Sequence, residues 1–183
     1  WAYARILLGE TVGLHDILRK EERALRDAFP SLAFIFRSTL GDYLLSQGRA
    51  TDALVYYQEN LEALRRTNPT QSAEFPPHIS KDVVHCLLHL GNYEEANQLA
   101  RKHYHLNREA DRLLKAFTSF AYGMTLCFSA PDQAIEVLEE AAQVFEQPLI
   151  APYLASVVLY QAFAYLELKQ EPFAKACLMR AES

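Results

Sequence analysis

Apolar residues recur three and four positions apart along most of the chain, as Leu54, Tyr57 and Leu61 do. This spacing places them on one face of an α-helix and leaves polar residues on the other face. The pattern predicts helices near residues 1–8, 12–28, 32–47, 50–66, 80–90, 93–106, 109–128, 132–146, 151–169 and 172–182. The chain is therefore predicted to be all-α.

The helices follow a repeating order: an apolar helix, a short break, and a second helix with an alanine near its start. These marker alanines are Ala53, Ala96, Ala134 and Ala174. Their intervals of 43, 38 and 40 residues give a period near 40, which is enough for two helices and two connections. Alanine suits this place because a larger side chain would push apart two helices that cross closely. We therefore expect antiparallel helix pairs stacked in a right-handed α-solenoid.

Glycine and proline mark the breaks between the helices. Gly48 and Gly91 lie where a helix ends and the chain reverses, a turn that needs the left-handed φ values that glycine adopts easily. Pro131 and Pro172 fall in the first turn of the next helix, where the missing N–H is harmless. A polar, Pro-rich segment at 68–77 predicts a long surface loop, which accounts for the 43-residue interval.

The repeats also predict how the chain is organised. We expect one repeat domain over residues 1–183, with a partial repeat at 1–30 and repeats at about 31–68, 78–107, 108–148 and 149–183. The sequence starts with Trp1 and begins partway into a repeat. We therefore expect it to be a fragment of a longer chain.

Residues 40–61 resemble the tetratricopeptide repeat (TPR), a helix–turn–helix unit of about 34 residues. The residues that match the family's spacing of small and large side chains are Leu40, Gly41, Gly48, Ala53 and Tyr57. The segments 91–96 and 162–181 fit the family as well, although the period near 40 is longer than the family's. The resemblance implies a solenoid whose concave surface binds a protein or a peptide.

Degenerate repeats of about 40 residues are most similar to the sensor region of large bacterial ATP-dependent transcription activators of the LuxR type, such as the maltose activator. In that group a superhelix of helix pairs receives an inducer or a regulatory protein, while ATP-binding and DNA-binding domains lie elsewhere. The resemblance implies a cytoplasmic module for signal transduction and transcription regulation. The alternative is a structural scaffold or adaptor that mediates self-association or complex assembly.

Composition narrows the possible partners. A formal charge of −5 suits phosphate contacts poorly, so we expect no direct contact with nucleic acid. No apolar stretch approaches the ~20 residues that a membrane-spanning helix needs. Three scattered cysteines, Cys86, Cys127 and Cys177, form no disulfide framework, which favours a reduced, cytoplasmic protein.

The sequence contains no signature of catalysis. It has no Gly-rich phosphate loop, no Gly-x-Ser-x-Gly elbow and no Cys-x-x-Cys pair, so we predict a protein without enzymatic activity. His85 and His89 are four residues apart on one predicted helix and could share a metal, but no third ligand has recognisable spacing. We predict neither a metal nor a cofactor. The adjacent acidic pairs, such as Glu21-Glu22, are expected on solvated helix faces.

In the TPR register, one set of side chains falls on the concave groove. It mixes apolar, aromatic and charged groups, which suits a peptide or a small-molecule inducer. Its members are Asp42, Leu45, Ser46, Lys81, His85, His89, Phe163 and Leu166. The clamp of Lys, Asn and Arg by which some relatives hold a C-terminal carboxylate is not matched, since Asp42 takes the place of its Asn. We expect a protein, peptide or inducer as partner, with self-association possible.

Overall fold

Every regular element in the computed structural model, which describes residues 12–67, 77–147 and 150–181, is an α-helix. The described helices are α1 (Leu14–Leu25), α2 (Pro30–Ser46), α3 (Ala50–Thr67), α4 (Pro77–His89), α5 (Tyr93–Leu106), α6 (Arg112–Leu126), α7 (Pro131–Phe145), α8 (Ala151–Glu167) and α9 (Glu171–Ala181). The all-α prediction is confirmed for these ranges. The predicted helix at 1–8 and most of the predicted loop at 68–77 lie outside the described residues.

The residues at the N-termini of α2 and α6 explain why these helices begin at positions other than those predicted. Helix α2 begins at Pro30, two residues before the predicted start, because proline is favoured in the first turn of a helix. Helix α6 begins at Arg112, three residues after the predicted start. The Asp111 side chain caps it, since Oδ1 accepts hydrogen bonds from the N–H groups of Leu113 and Leu114 at 3.1 and 3.0 Å.

The chain forms two compact units, one ending at Leu90 and one beginning at Gly91. In the first unit α1 packs on α2, α2 packs on α3, and α4 packs on α2 and α3. In the second unit α5 to α9 pack each on the next along the chain. Neighbour-on-neighbour packing is characteristic of repeat proteins. The boundary between the units falls inside the predicted repeat 78–107, and the single-domain assignment stays a prediction.

The marker alanines lie in the core of each unit. Ala53, Ala96, Ala134 and Ala174 are all buried. Their burial agrees with the role expected from the sequence, in which a small side chain lets two helices approach closely. The helix starts repeat with the same spacing as the alanines, because α3, α5, α7 and α9 begin at residues 50, 93, 131 and 171.

The turns show which positions need left-handed backbone. Gly48 and Gly91 have φ values of 72° and 77°, as the sequence predicts. Lys169 has a φ of 59° at the corresponding point between α8 and α9, two residues before the next helix begins. A residue with a Cβ rarely adopts this conformation, so the last turn stores strain that the two glycine turns avoid.

One charged side chain contradicts the expectation of a solvated face. Glu22 on α1 is only 2% exposed, because Arg37 on α2 reaches it with an Nε–Oε1 distance of 3.0 Å. Arg26, one turn along α1, adds two hydrogen bonds to the same carboxylate at 3.0 and 2.8 Å. The helical spacing of Glu22 and Arg26 is visible in the sequence, whereas the contact from Arg37 exists only once α2 packs on α1.

Two further features restrict the chemistry of the fold. Within the part of the chain that the structure describes, no helix is both long and apolar enough to cross a membrane. All three cysteines are free thiols: Cys86 and Cys127 are buried and Cys177 is half-buried.

Candidate functional site

A tyrosine and an aspartate join α2 to α3 inside the first unit. Tyr57 is fully buried, and its hydroxyl group donates a hydrogen bond to Oδ1 of Asp42 at 2.8 Å. The ring fits there because Gly41, the residue before Asp42, has no side chain in its path. Asp42 was predicted to contact a ligand in the groove, and here its carboxyl group is engaged by the neighbouring helix.

The surroundings of Asp42 raise the pKa of its carboxyl group to about 7. Burial is the largest cause, followed by the negative charge of Asp82 on α4, while the charge of Lys81 and the hydrogen bond from Tyr57 act in the opposite direction. Lys81 forms an ion pair with Asp82 through Nζ and Oδ1. Two carboxyl groups and one ammonium group thus share this region, and protonation of Asp42 near neutral pH removes the excess negative charge.

Two histidines follow on the same face of α4. The Nε2 atoms of His85 and His89 are 3.2 Å apart, and the ring centroids are 4.9 Å apart with the ring planes tilted by 46°. At this distance one imidazole donates a hydrogen bond to the other, so at least one of the facing nitrogens is unprotonated. Burial, the charge of Lys81 and the charge of His89 lower the pKa of His85 to about 3. His85 is therefore neutral at physiological pH.

The remaining predicted groove residues of this unit lie at the end of α2. Leu45 is half-buried and Ser46 is exposed. The hydroxyl group of Ser46 donates to the backbone oxygen of Tyr43 at 2.7 Å, which stabilises the last turn of its own helix. Of the predicted set, Lys81 thus interacts electrostatically with both Asp42 and His85. His85 and His89 are in direct contact.

The thiol of Cys86 lies close to the same charges and is unreactive. Burial, with the charges of Asp82 and Asp42, raises the pKa of this thiol to about 12, and a protonated thiol is a poor nucleophile. Burial and the same carboxyl groups also raise the pKa of Tyr57 well above its usual value. Among the residues that the structure describes, no three or more His, Cys, Asp or Glu side chains are placed to hold one metal ion.

The second unit carries a row of aromatic side chains on its surface. The ring centroid of Phe128 lies 5.1 Å from that of Tyr93 and 5.4 Å from that of Phe163. Tyr93, Phe128 and the nearby Leu159 are 52%, 48% and 50% exposed. We call these residues, together with Tyr160, the aromatic surface. Aromatic rings at such centroid distances attract each other, so the row is a stable arrangement of half-exposed side chains.

Two cavities of different chemistry meet at Phe128. The apolar one has a volume of about 260 Å³ and is lined by Phe128, Leu159, Tyr160 and Phe163. The more polar one has a volume of about 550 Å³ and is lined by Tyr93, Glu94, Asn97, Thr125, Phe128 and Ser129. A surface of this kind can hold an apolar group beside hydrogen-bonding groups.

One residue of the aromatic surface was predicted from the sequence, and the others were not. Phe163 was predicted as a groove residue and lines the apolar cavity. Leu166, three residues further along α8, is exposed. Tyr93 and Phe128 were missed because of their positions: Tyr93 is the first residue of α5, and Phe128 lies two residues past the end of α6. At such positions helical periodicity does not predict which way a side chain points. The signal that could have found them is a large aromatic residue directly beside a predicted break.

The fold is similar to solved structures of TPR-like repeats. Two crystal structures of a putative kinesin light chain from Podosopora anserina with nearly identical TPR-like repeats, one of them a single-residue variant, align with 99% of this chain. The alignments cover 89% and 90% of those chains, with TM-scores of 0.63 and 0.62 and 14% sequence identity. This likeness shows that the chain has a TPR-like repeat fold. No protein-family model and no curated protein sequence matches the chain.

Proposed function

We propose that the chain is a non-catalytic protein-binding module whose aromatic surface receives an extended peptide segment of a partner protein. The observation that carries this proposal is the row formed by Tyr93, Phe128 and Phe163, of which Tyr93 and Phe128 are about half exposed. Contiguous apolar groups left in water are unfavourable, and on folded proteins they mark interaction sites. The TPR-like fold supports the proposal because stacked helix pairs provide extended binding surfaces.

The two cavities specify the chemistry of the peptide. An aromatic or branched aliphatic side chain of the partner fills the apolar cavity beside Phe163. A lysine or arginine next to it faces Glu94, which lines the polar cavity and is held by a hydrogen bond from Gln98 at 2.8 Å. Asn97, whose Nδ2 donates to Thr125 Oγ1 at 3.1 Å, offers its amide oxygen to the peptide backbone. The preferred ligand is therefore an apolar and basic peptide.

A random peptide display library, followed by fluorescence anisotropy on the selected peptides, tests this proposal. We expect the selected peptides to share an apolar anchor and an adjacent basic residue. Phe128→Ala should lower their affinity about tenfold or more, as the loss of an interface anchor does. Phe173→Ala, which removes an exposed aromatic ring outside the aromatic surface, is the matched control and should bind like the wild type. Equal loss in both variants would refute the proposal.

As the narrower biological setting, we propose the sensor or interaction region of a bacterial transcriptional regulator, in which a regulatory protein or a small inducer is bound. Its support is the period near 40 residues, which the starts of α3, α5, α7 and α9 repeat. A ligand that binds the folded state raises the melting temperature by mass action. A thermal-shift screen against sugars, acyl compounds and peptides distinguishes a small inducer from a regulatory protein. A higher melting temperature with small molecules favours an inducer, and a higher melting temperature with peptides alone favours a protein.

The alternative function, a scaffold that mediates self-association, has one observation in its favour. Phe173, Leu178 and Met179 on α9 are exposed apolar side chains. A second copy of the chain could cover them. Sedimentation velocity of the wild type and of Met179→Lys tests this alternative, since a dimer built on this face should dissociate in the charged variant, whereas a wild-type monomer at high concentration excludes it.

A further inference from the structure

The Nε2 atoms of His85 and His89 are about as far apart as two nitrogen ligands of one metal ion. Residues four apart lie on the same face of a helix, and here their Nε2 atoms come within 3.2 Å of each other. Zinc–imidazole bonds of about 2.0–2.1 Å at tetrahedral angles place two ligand nitrogens roughly 3.3 Å apart. One ion can therefore take both nitrogens with little movement of either ring. The hydrogen bond that now joins the rings would be replaced by two metal–nitrogen bonds.

We propose that His85 and His89 bind one transition-metal ion, of the class Zn²⁺, Ni²⁺ or Cu²⁺, through their Nε2 atoms. Imidazole nitrogen is a ligand that these ions share. His89 is exposed, so the remaining coordination positions face solvent and are filled by water or by a side chain of a bound partner. This site lies in the first unit and is independent of the peptide-binding proposal for the second.

Metal binding requires imidazole nitrogens without a proton, and the hydrogen bond between the two rings shows that one of the facing nitrogens already carries none. The ammonium group of Lys81, one helical turn before His85, repels a cation. Its charge is offset by the ion pair with Asp82 and by the carboxyl group of Asp42 when that group is ionised.

Metal binding changes the tautomer of one ring without net release of a proton. In the hydrogen bond between the rings, one Nε2 carries a proton and the other accepts it. When the ion takes both Nε2 lone pairs, that proton moves through water to Nδ1 of the same ring. Both rings then carry their proton on Nδ1, which is a signature that ring-nitrogen NMR detects.

Titration of the whole chain with zinc chloride, followed by long-range ¹H–¹⁵N spectra of its six histidines, tests the proposal. We expect one equivalent of zinc to shift Nε2 of His85 and His89 and leave the other rings unchanged. His89→Ala should lower the zinc affinity at least about tenfold. Mutation of a residue that only hydrogen-bonds to a metal ligand already lowers metal affinity by about that much, and here a ligand itself is removed. His105→Ala, a second exposed histidine, is the matched control and should bind zinc like the wild type.

Three results would overturn the proposal: no shift at either ring, shifts at other histidines instead, or unchanged affinity in His89→Ala. Magnesium chloride serves as the metal control, because Mg²⁺ prefers oxygen ligands and should shift neither ring. If His89→Ala fails to fold, the ring-nitrogen shifts of the wild type decide the matter, since they assign the ligands atom by atom.

Discussion

The ring of Tyr57 lies against the backbone of Gly41 so closely that a Cβ at position 41 would come within 2.6 Å of its Cε1 and Cζ atoms. Gly123 has the same relation to Leu138 in the second unit, where a Cβ would lie 2.6 Å from Cγ and Cδ2. In each unit a glycine on the first helix of a pair receives a large side chain from the second helix. This contact fixes how closely α2 approaches α3 and α6 approaches α7.

Gly41→Ala should destabilise the chain. The added methyl group overlaps the ring of a buried tyrosine that cannot move away easily, and such overpacking costs about 1–3 kcal/mol. Alanine favours helix over glycine by about 1 kcal/mol, so the net loss of stability is expected to be smaller, up to about 2 kcal/mol. Urea unfolding measures it.

The double variant Gly41→Ala/Tyr57→Leu provides the control for this prediction. With the ring removed, the same glycine-to-alanine change should be neutral or stabilising relative to Tyr57→Leu alone, because only the helix-propensity gain remains. An equal cost in both backgrounds would show that the ring contact is not its cause.

The stability of the first unit should depend on pH through Asp42. The pKa of this carboxyl group is about 7 in the fold, against an ordinary value of 3.8. Between these values the folded chain holds a proton that the unfolded chain has lost, so stability falls as pH rises through this window. Asp42→Asn still accepts the hydrogen bond from Tyr57 and cannot ionise. At pH 8 it should be more stable than the wild type by about 2 kcal/mol or more.

Melting curves between pH 4 and pH 8 check this prediction, and the gain from Asp42→Asn should shrink towards the acid end. Asp132→Asn, at an exposed position in the first turn of α7, is the matched control. The melting temperature of this variant should stay close to that of the wild type at every pH from 4 to 8. If the curve of Asp42→Asn also runs parallel to the wild type, Asp42 does not titrate in this range.

The strained turn before α9 offers a stabilising substitution. Lys169 has a φ of 59°, a conformation that costs a residue with a Cβ about 1–2 kcal/mol. Its turn closes like the one at Gly48: the N–H groups of Gln170 and Arg49 bond to backbone oxygens five residues earlier, at 2.8 and 2.9 Å. Lys169→Gly should therefore raise stability by about 0.5–1 kcal/mol. Lys169→Ala keeps a Cβ and should give no gain, so an equal rise in both would contradict the explanation by φ.

How much of the fold the sequence could predict follows from the range of the interactions involved. Helical spacing and the turn residues Gly48 and Gly91 act within a few positions, so the helices and their repeat were predictable. The unusual φ of Lys169 was not, because nothing in that residue signals a left-handed turn. Its conformation accompanies the hydrogen bond from the N–H of Gln170 to the backbone oxygen of Tyr165, which closes the turn between α8 and α9.

The candidate sites depended on packing between helices and were less predictable. His85 and His89 share a helix face, so their proximity followed from the sequence. Asp42 was predicted as a groove residue, but the hydrogen bond that its carboxyl group accepts from Tyr57 on the next helix could not be predicted from the sequence. Phe128 lies beyond the end of its helix, where the direction of a side chain depends on the turn and not on periodicity.

The carboxylate of Glu22 forms ion pairs with two arginines that differ in burial. It therefore tests how burial changes the stability that an ion pair contributes. Burial raises the pKa of Glu22, but the hydrogen bonds and charges of Arg26 and Arg37 outweigh it and hold the pKa below its usual value. The side chain of Arg37 is 7% exposed, whereas that of Arg26 is 53% exposed. Removing a buried partner leaves a charge without compensation, whereas an exposed partner is replaced by water.

Arg37→Ala should therefore cost about 3 kcal/mol and Arg26→Ala about 1 kcal/mol or less, as measured by urea unfolding at pH 7. Since the pKa of Glu22 is lowered in the fold, the stability that its ion pairs contribute is present at neutral pH and is lost as pH falls through that pKa. The difference between the two variants should accordingly narrow at acid pH as Glu22 becomes protonated. Equal costs for both variants at pH 7 would show that burial does not control the strength of these pairs.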